Sequence, residues 1–283
     1  MLPIRFKLPR LLQAAAAALT LAAPAVAHAQ AKLDARYTAS LGGLTVGRGA
    51  WVIDYRDDQY TAAASGMATG LFKMFAGGTG TSASRGNVAN GQPVARAYAA
   101  TITANKKKDE VEMAIENGAV KDYSVNPPSP PDPERVPITD AHRKGVTDPM
   151  TASLVRAVGS SDPLTPDTCK RSSAIFDGRM RYDLRMAYKR MDKVKAEKGY
   201  QGAVVVCSVT FTPLAGHIPS RTVIKYLTEL REMEVWLAPV AGTRLVVPFR
   251  VLVPTPLGDA VLEATQFVAS PAPRVTPTNA KAL

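Results

Sequence analysis

Between residues 33 and 125 the chain is cut at short intervals by turn signals, and this punctuation constrains the fold more than any other feature. Gly42-Gly43, Asp57-Asp58, Asn90-Gly91, the charged stretch Asn105 to Asp109 with Lys106, Lys107 and Lys108, and Asn117-Gly118 separate stretches that alternate apolar and polar residues. Asn-Gly between such stretches favours a two-residue hairpin, because both central positions of that turn need positive φ. Alternation puts successive side chains on opposite faces of an extended strand. The predicted strands are 33–44, 46–55, 59–68, 80–88, 94–104, 110–116 and 119–125, a meander whose lengths near ten suit a strongly curved sheet. The segment 70–76 breaks the alternation. Its Leu71, Phe72, Met74 and Phe75 fit one or two helical turns better than a strand, with Gly77-Gly78 as the stop.

Residues 126–133 then change character. Pro127, Pro128, Pro130, Pro131 and Pro133 exclude helix and ladder alike and make a polyproline connector. We expect a crossover strapped along one sheet, inside a single β-rich domain over 30–269; a domain boundary is the alternative. Asp148-Pro149 opens a predicted helix, with Asp148 as N-cap and Pro149 in the first turn. Met150, Leu154, Val155 and Val158 form its apolar stripe, and Gly159 ends it. A hairpin on Asp177-Gly178 joins 171–176 to 179–188, and 202–212 is a strand carrying Cys207. The stretch 217–231 is ambiguous, with helical spacing at Ile224, Leu227 and Leu230. Strands follow at 233–237, 244–253 and 258–268, and 270–283, rich in Pro, Ala and Thr, is a predicted disordered tail. Eleven or twelve strands with two or three short helices predict a mainly β, curved antiparallel sheet.

The N-terminus supplies the compartment. Arg5, Lys7 and Arg10 precede an apolar run over 11–23, Pro24 breaks it, and Ala27-His28-Ala29 offers small residues at a cleavage site. This is a secretory signal peptide over 1–29, cut after Ala29. The run is too short for a hydrocarbon core of roughly 30 Å, which needs about 20 residues. No cysteine lies near the cleavage site, which excludes a lipid anchor there. The mature chain is expected to be periplasmic or secreted, and not membrane-spanning.

Cys169 and Cys207 are the only cysteines. An even count in an oxidising compartment predicts a disulfide over a metal site or a nucleophile. The formal charge is +11; Arg5, Lys7 and Arg10 leave with the signal, so the mature chain carries +8. Nucleic acid is a poor partner for an exported chain with 6% aromatics and no recognition motif. Anionic lipid headgroups fit the compartment better, and a charge that simply keeps the protein soluble fits as well.

Catalytic signatures are missing. Gly77-Gly78-Thr79-Gly80 precedes a strand pattern and no Lys-Ser pair follows, so it is not a phosphate loop. There is no Gly-x-Ser-x-Gly, no His-Glu-x-x-His and no Cys-x-x-Cys, and the mature histidines are only His142 and His217. No cofactor, metal or enzymatic activity is expected. Arg179, Arg181 and Arg185 fall on one face of a predicted strand, where three guanidinium groups can grip phosphate or carboxylate headgroups. The competing reading is a solvated face, with Tyr182, Leu184 and Met186 in the core.

Several blocks stand out along the chain: Tyr37 to Arg48, Ser65-Gly66 with Gly70-Leu71-Phe72, Thr147-Asp148-Pro149-Met150, Cys169, and Phe176-Asp177-Gly178-Arg179 with Arg181 to Leu184. Cys207, Pro213 to His217, Glu234 to Pro239 and Pro248 to Gly258 complete them. Together they resemble the exported bacterial family known as domain of unknown function 3108. The resemblance implies no assigned activity and no catalytic residues. It implies a fold similar to the LolA-like half-barrel, an open curved sheet with helices over its concave side, whose members carry lipids or lipoproteins. On that analogy the best expectation is a binding module for a lipid or other apolar ligand. Leu71, Phe72, Met74 and Phe75 would gate its groove, and Arg179, Arg181 and Arg185 would meet a headgroup. The alternative is an envelope structural or adaptor protein with a protein partner and no small ligand.

Overall fold

Alternate burial runs through the first strands of the computed structural model as the sequence period requires. In β1 (Ala31–Leu41) Ala31, Leu33, Ala35 and Tyr37 are buried, while Lys32 and Arg36 are exposed. The structure describes residues 30–69, 77–159 and 162–271; the predicted leader, the predicted gate at Leu71 to Phe75 and the tail from 272 lie outside them. The meander continues through β2 (Leu44–Tyr55), β3 (Gln59–Ala68), β4 (Gly78–Ala89), β5 (Gln92–Ala104), β6 (Lys107–Glu116) and β7 (Ala119–Asn126), each antiparallel to the last. The expected Asn-Gly turns form, with φ of 52° and 73° at Asn90-Gly91 and 49° and 71° at Asn117-Gly118.

Helix α1 (Pro149–Ala152) follows, then β8 (Val155–Arg156), β9 (Arg171–Phe176), β10 (Arg181–Lys195), β11 (Lys198–Gly199) and β12 (Gln201–Ala215). Helix α2 (Thr222–Glu229) resolves the ambiguous stretch in favour of helix, and β13 (Met233–Pro239), β14 (Leu245–Val253) and β15 (Ala260–Pro271) end the described chain. The path runs β7-β6-β5-β4-β3-β2-β1-β15-β14-β13-β12-β10-β9, antiparallel throughout; β11 adds to β15 and β8 to β14. The fold is thus mainly β and the sheet is open.

The two ends of the path, β7 and β9, do not pair with each other. Residues 144–147 lie between them instead. The Val146 amide donates to Gly118 O at 2.9 Å, the Thr147 amide to Ala174 O at 2.9 Å, and the Phe176 amide to Thr147 O at 3.0 Å. Tyr123 of β7 meets Phe176 of β9 edge-to-face at 5.4 Å. The seam therefore covers strand edges that would otherwise offer unpaired backbone groups. The proline segment crosses from β7 towards the end of β12, where the Arg135 guanidinium donates to Gly216 O at 2.7 Å and the Val136 amide to His217 O at 2.9 Å.

Three expectations need correction. The helix from Asp148 spans only four residues: after Ser153 the chain extends, and Val155 pairs with Val246 as a strand. Arg179 lies in the turn before β10, so the three arginines do not share one strand. Ser270 and Pro271, given to the tail, belong to β15, where Ser270 pairs with Lys32.

The middle of β12 (204–207), β13 and the first half of β14 are buried on both faces. Val204, Val206, Trp236 and Ala238 join the main cluster with Leu33, Ile53 and Met113. Val205, Cys207, Val235 and Leu237 form a second cluster with Val155, Cys169 and Val246. Cys169 and Cys207 are bonded there, with Cα atoms 5.5 Å apart.

Candidate functional site

At one end of the first four strands the inward positions carry little side chain. Register places Ala39 opposite Gly47, Gly49 opposite Gly66, Gly66 opposite Gly80, and Ala64 opposite Ser82. These form one contiguous patch, too small to fill the space in front of it. A Cβ added at Gly66 would meet only Arg48 O, at 3.7 Å. The result is a cavity of about 540 Å³, within the roughly 300–1,000 Å³ usual for small-molecule sites.

Tyr37, Trp51 and Tyr98 flank the patch, and Pro149, Met150 and Ser153 of the α1 region form the floor. The walls are largely apolar, with two donors to spare. The Trp51 indole N–H is buried and has no acceptor among the described residues. The Tyr98 hydroxyl also has no hydrogen-bond partner among them, and burial pushes its pKa up to about 12, so it stays protonated at neutral pH. Tyr37, by contrast, donates to Pro248 O at 2.7 Å and fixes β14 against β1.

The floor is held by a buried polar cluster. Asp148 has no exposed surface and caps α1: its Oδ1 accepts the amides of Met150 and Thr151, each at 2.9 Å. Its Oδ2 accepts from the Ser84 hydroxyl at 3.0 Å and from the Thr151 hydroxyl. Tyr60 lies 2.6 Å from Thr151 Oγ1 and completes the set. Burial raises the Asp148 carboxyl above its ordinary range, with these hydrogen bonds opposing it. Tyr60 reaches this cluster across Gly86, where a Cβ would sit 2.8 Å from the Tyr60 ring.

A second trough of about 540 Å³ lies on the solvent face of β3 to β7. Its outward residues are alanines with Arg85, Glu112 and Asp122 among them, and it has no buried donor left unpaired. The inner cavity is the better-built site.

The arginines expected to meet a headgroup are dispersed. Arg179 donates to Asp109 at 2.7 Å, to Pro127 O at 3.1 Å and to Ser129 at 3.3 Å, tying the proline segment to β6. Arg181 donates to Asp183 at 2.7 Å, while Arg185 is exposed. None of the three lines the inner cavity. His142 Nδ1 accepts the Thr139 amide, and His217 Nδ1 is buried without a partner. Among the described residues no three His, Cys, Asp or Glu side chains are placed to hold a metal. Nor is any helix long and apolar enough to cross a membrane.

Fold and site together define an open antiparallel β-shell with an apolar cavity on its buried face. The chain belongs to a family described as protein of unknown function (DUF3108), whose model matches residues 36–265. A crystal structure of a beta-barrel-like protein of domain of unknown function DUF1849 from Brucella abortus is similar at a TM-score of 0.46 and 7% identity. That likeness covers 87% of this chain and 98% of the other. No curated protein matches the chain.

Proposed function

We propose that the chain is an exported binding module that holds an apolar ligand, of lipid or acyl class, in the inner cavity. One observation carries this: a cavity of about 540 Å³ with largely apolar walls, bordered by the unpartnered Trp51 N–H and Tyr98 O–H. Apolar burial, at about 25 cal/mol per Å², supplies the affinity. The two donors favour a ligand with a carbonyl or other acceptor near one end, and the buried Trp51 N–H, left unsatisfied, costs about 1–3 kcal/mol. Export accords with the leader-like N-terminus and with the disulfide, a bond that persists in oxidising compartments.

A titration of the delipidated mature protein with a fluorescent fatty acid tests this. Saturable one-to-one binding, weakened several-fold by Trp51→Phe and by Tyr98→Phe, is expected. Binding that ignores both variants, or no saturable binding, contradicts the proposal and favours a structural or adaptor role.

A further inference from the structure

At one end of the shell, large apolar side chains stand in water beside unpaired cations. Leu44 and Leu257 are 75% and 78% exposed. They sit on adjacent turns, β1–β2 and β14–β15, locked together by the Gly42 amide donating to Asp259 O at 3.0 Å. A Cβ on Gly258 would lie 2.8 Å from Gly42 Cα, so the two tips pack backbone to backbone. Met67 and Ile102, each 58% exposed, occupy the same end of β3 and β5. Soluble surfaces carry single apolar residues freely; four large ones at one rim mark an interaction site.

Charge at this rim is one-sided. Asp109 is matched by Arg179 and Glu110 by Lys108. Arg48, Lys106 and Lys107 have no ion pair among the described residues. Asp259 stands in the β14–β15 turn, and α2 with its flanks, tied to that turn by the Tyr226 hydroxyl donating to Pro254 O at 3.0 Å, adds Arg221, Lys225 and Arg231 against Glu229 and Glu232. The cavity lies near the same end: its lining runs from Met150 and Trp51 up to Gly47, Gly66 and the exposed Met67.

We propose that this rim docks on an anionic lipid bilayer. Leu44 and Leu257 enter the headgroup–acyl boundary, and Arg48, Lys106 and Lys107 meet lipid phosphate. Tight turns suit this, because their backbone groups are already bonded and apolar tips can enter the interface. An uncharged apolar peptide would leave the cations without a role, whereas each lysine near an anionic surface strengthens binding about fivefold. The docking stands on its own geometry; its use, passing an apolar ligand between bilayer and cavity, rests on the function proposed above.

Vesicle sedimentation tests it with the mature protein. Wild type binds equimolar phosphatidylglycerol–phosphatidylcholine vesicles, loses affinity as salt rises, and ignores phosphatidylcholine alone. Leu44→Ser/Leu257→Ser and Lys106→Glu/Lys107→Glu each weaken binding at least about tenfold with unchanged circular dichroism. Lys32→Glu/Lys121→Glu, at the opposite end of the strands, leaves it intact. No binding to mixed vesicles, or equal loss in the opposite-end variant, overturns the proposal. A protein that carries ligand yet ignores vesicles overturns docking alone; one that docks but takes up no ligand overturns the cavity function alone.

Discussion

Ser84 donates to the buried carboxylate of Asp148 at 3.0 Å, across 64 residues of sequence, and so joins the wall of the cavity to its floor. Asp148 also accepts two α1 amides and the Thr151 hydroxyl. Removing the carboxylate leaves buried hydroxyls and amides unsatisfied. Asp148→Ala is expected to lower stability by about 2–4 kcal/mol, and Ser84→Ala by about 1 kcal/mol, in urea unfolding. A loss below 0.5 kcal/mol (about one-third of RT-scaled tenfold) for Asp148→Ala would mean that α1 is held by Met150 packing alone.

The same carboxyl predicts a pH dependence. In the unfolded chain it titrates near 3.8, and burial raises it in the folded state. The folded state thus holds this proton more tightly. Its contribution to stability is complete below the unfolded value and is lost as pH rises through the folded value. The urea midpoint of wild type minus that of Asp148→Asn should fall over the interval from pH 3.8 upward. A difference that rises over that interval would show that the four hydrogen bonds outweigh desolvation.

Gly66 leaves open space inside the shell, in ordinary strand conformation. Gly66→Val should therefore fill part of the cavity without strain. Fatty-acid affinity is expected to drop at least about tenfold, while stability holds or rises by about 0.5–1 kcal/mol, since glycine weakens a strand interior. Calorimetry and the fluorescence titration on one preparation separate the two effects. Affinity equal to wild type would place the ligand elsewhere.

The disulfide closes a separation of 38 residues on the second cluster. A loop of that length predicts a loss of about 4 kcal/mol for Cys169→Ser/Cys207→Ser in the chain-entropy model. Thermal melting with and without reductant measures it, and the double variant should no longer respond to reductant.

Much of the shell was legible from the chain. Asn90-Gly91 and Asn117-Gly118 need the left-handed backbone they adopt, and short strands between such turns leave few alternatives to an antiparallel sheet. The stretch from Met150 to Val158 misled because two clusters draw on it. Met150 and Leu154 pack into the main core and Val155 into the second, so a chain passing between cores mimics one helical stripe. Pairing of Val155 with Val246 then overrides the local spacing. Arg179 looked free because its acceptors Asp109 and Pro127 are distant in sequence. The cavity did leave a signal: small residues at every inward position across Ala39, Gly47, Gly49, Ala64, Gly66 and Ser82. Each is unremarkable on its own strand, and only the register makes them neighbours.

The most direct measurement is organic extraction and mass spectrometry of the protein purified from its native host, beside Gly66→Val prepared identically. The account predicts close to one apolar molecule per chain from wild type and little from the variant. Equal yields from both, or no stoichiometric ligand from wild type that also fails to take up fatty acid, would contradict it.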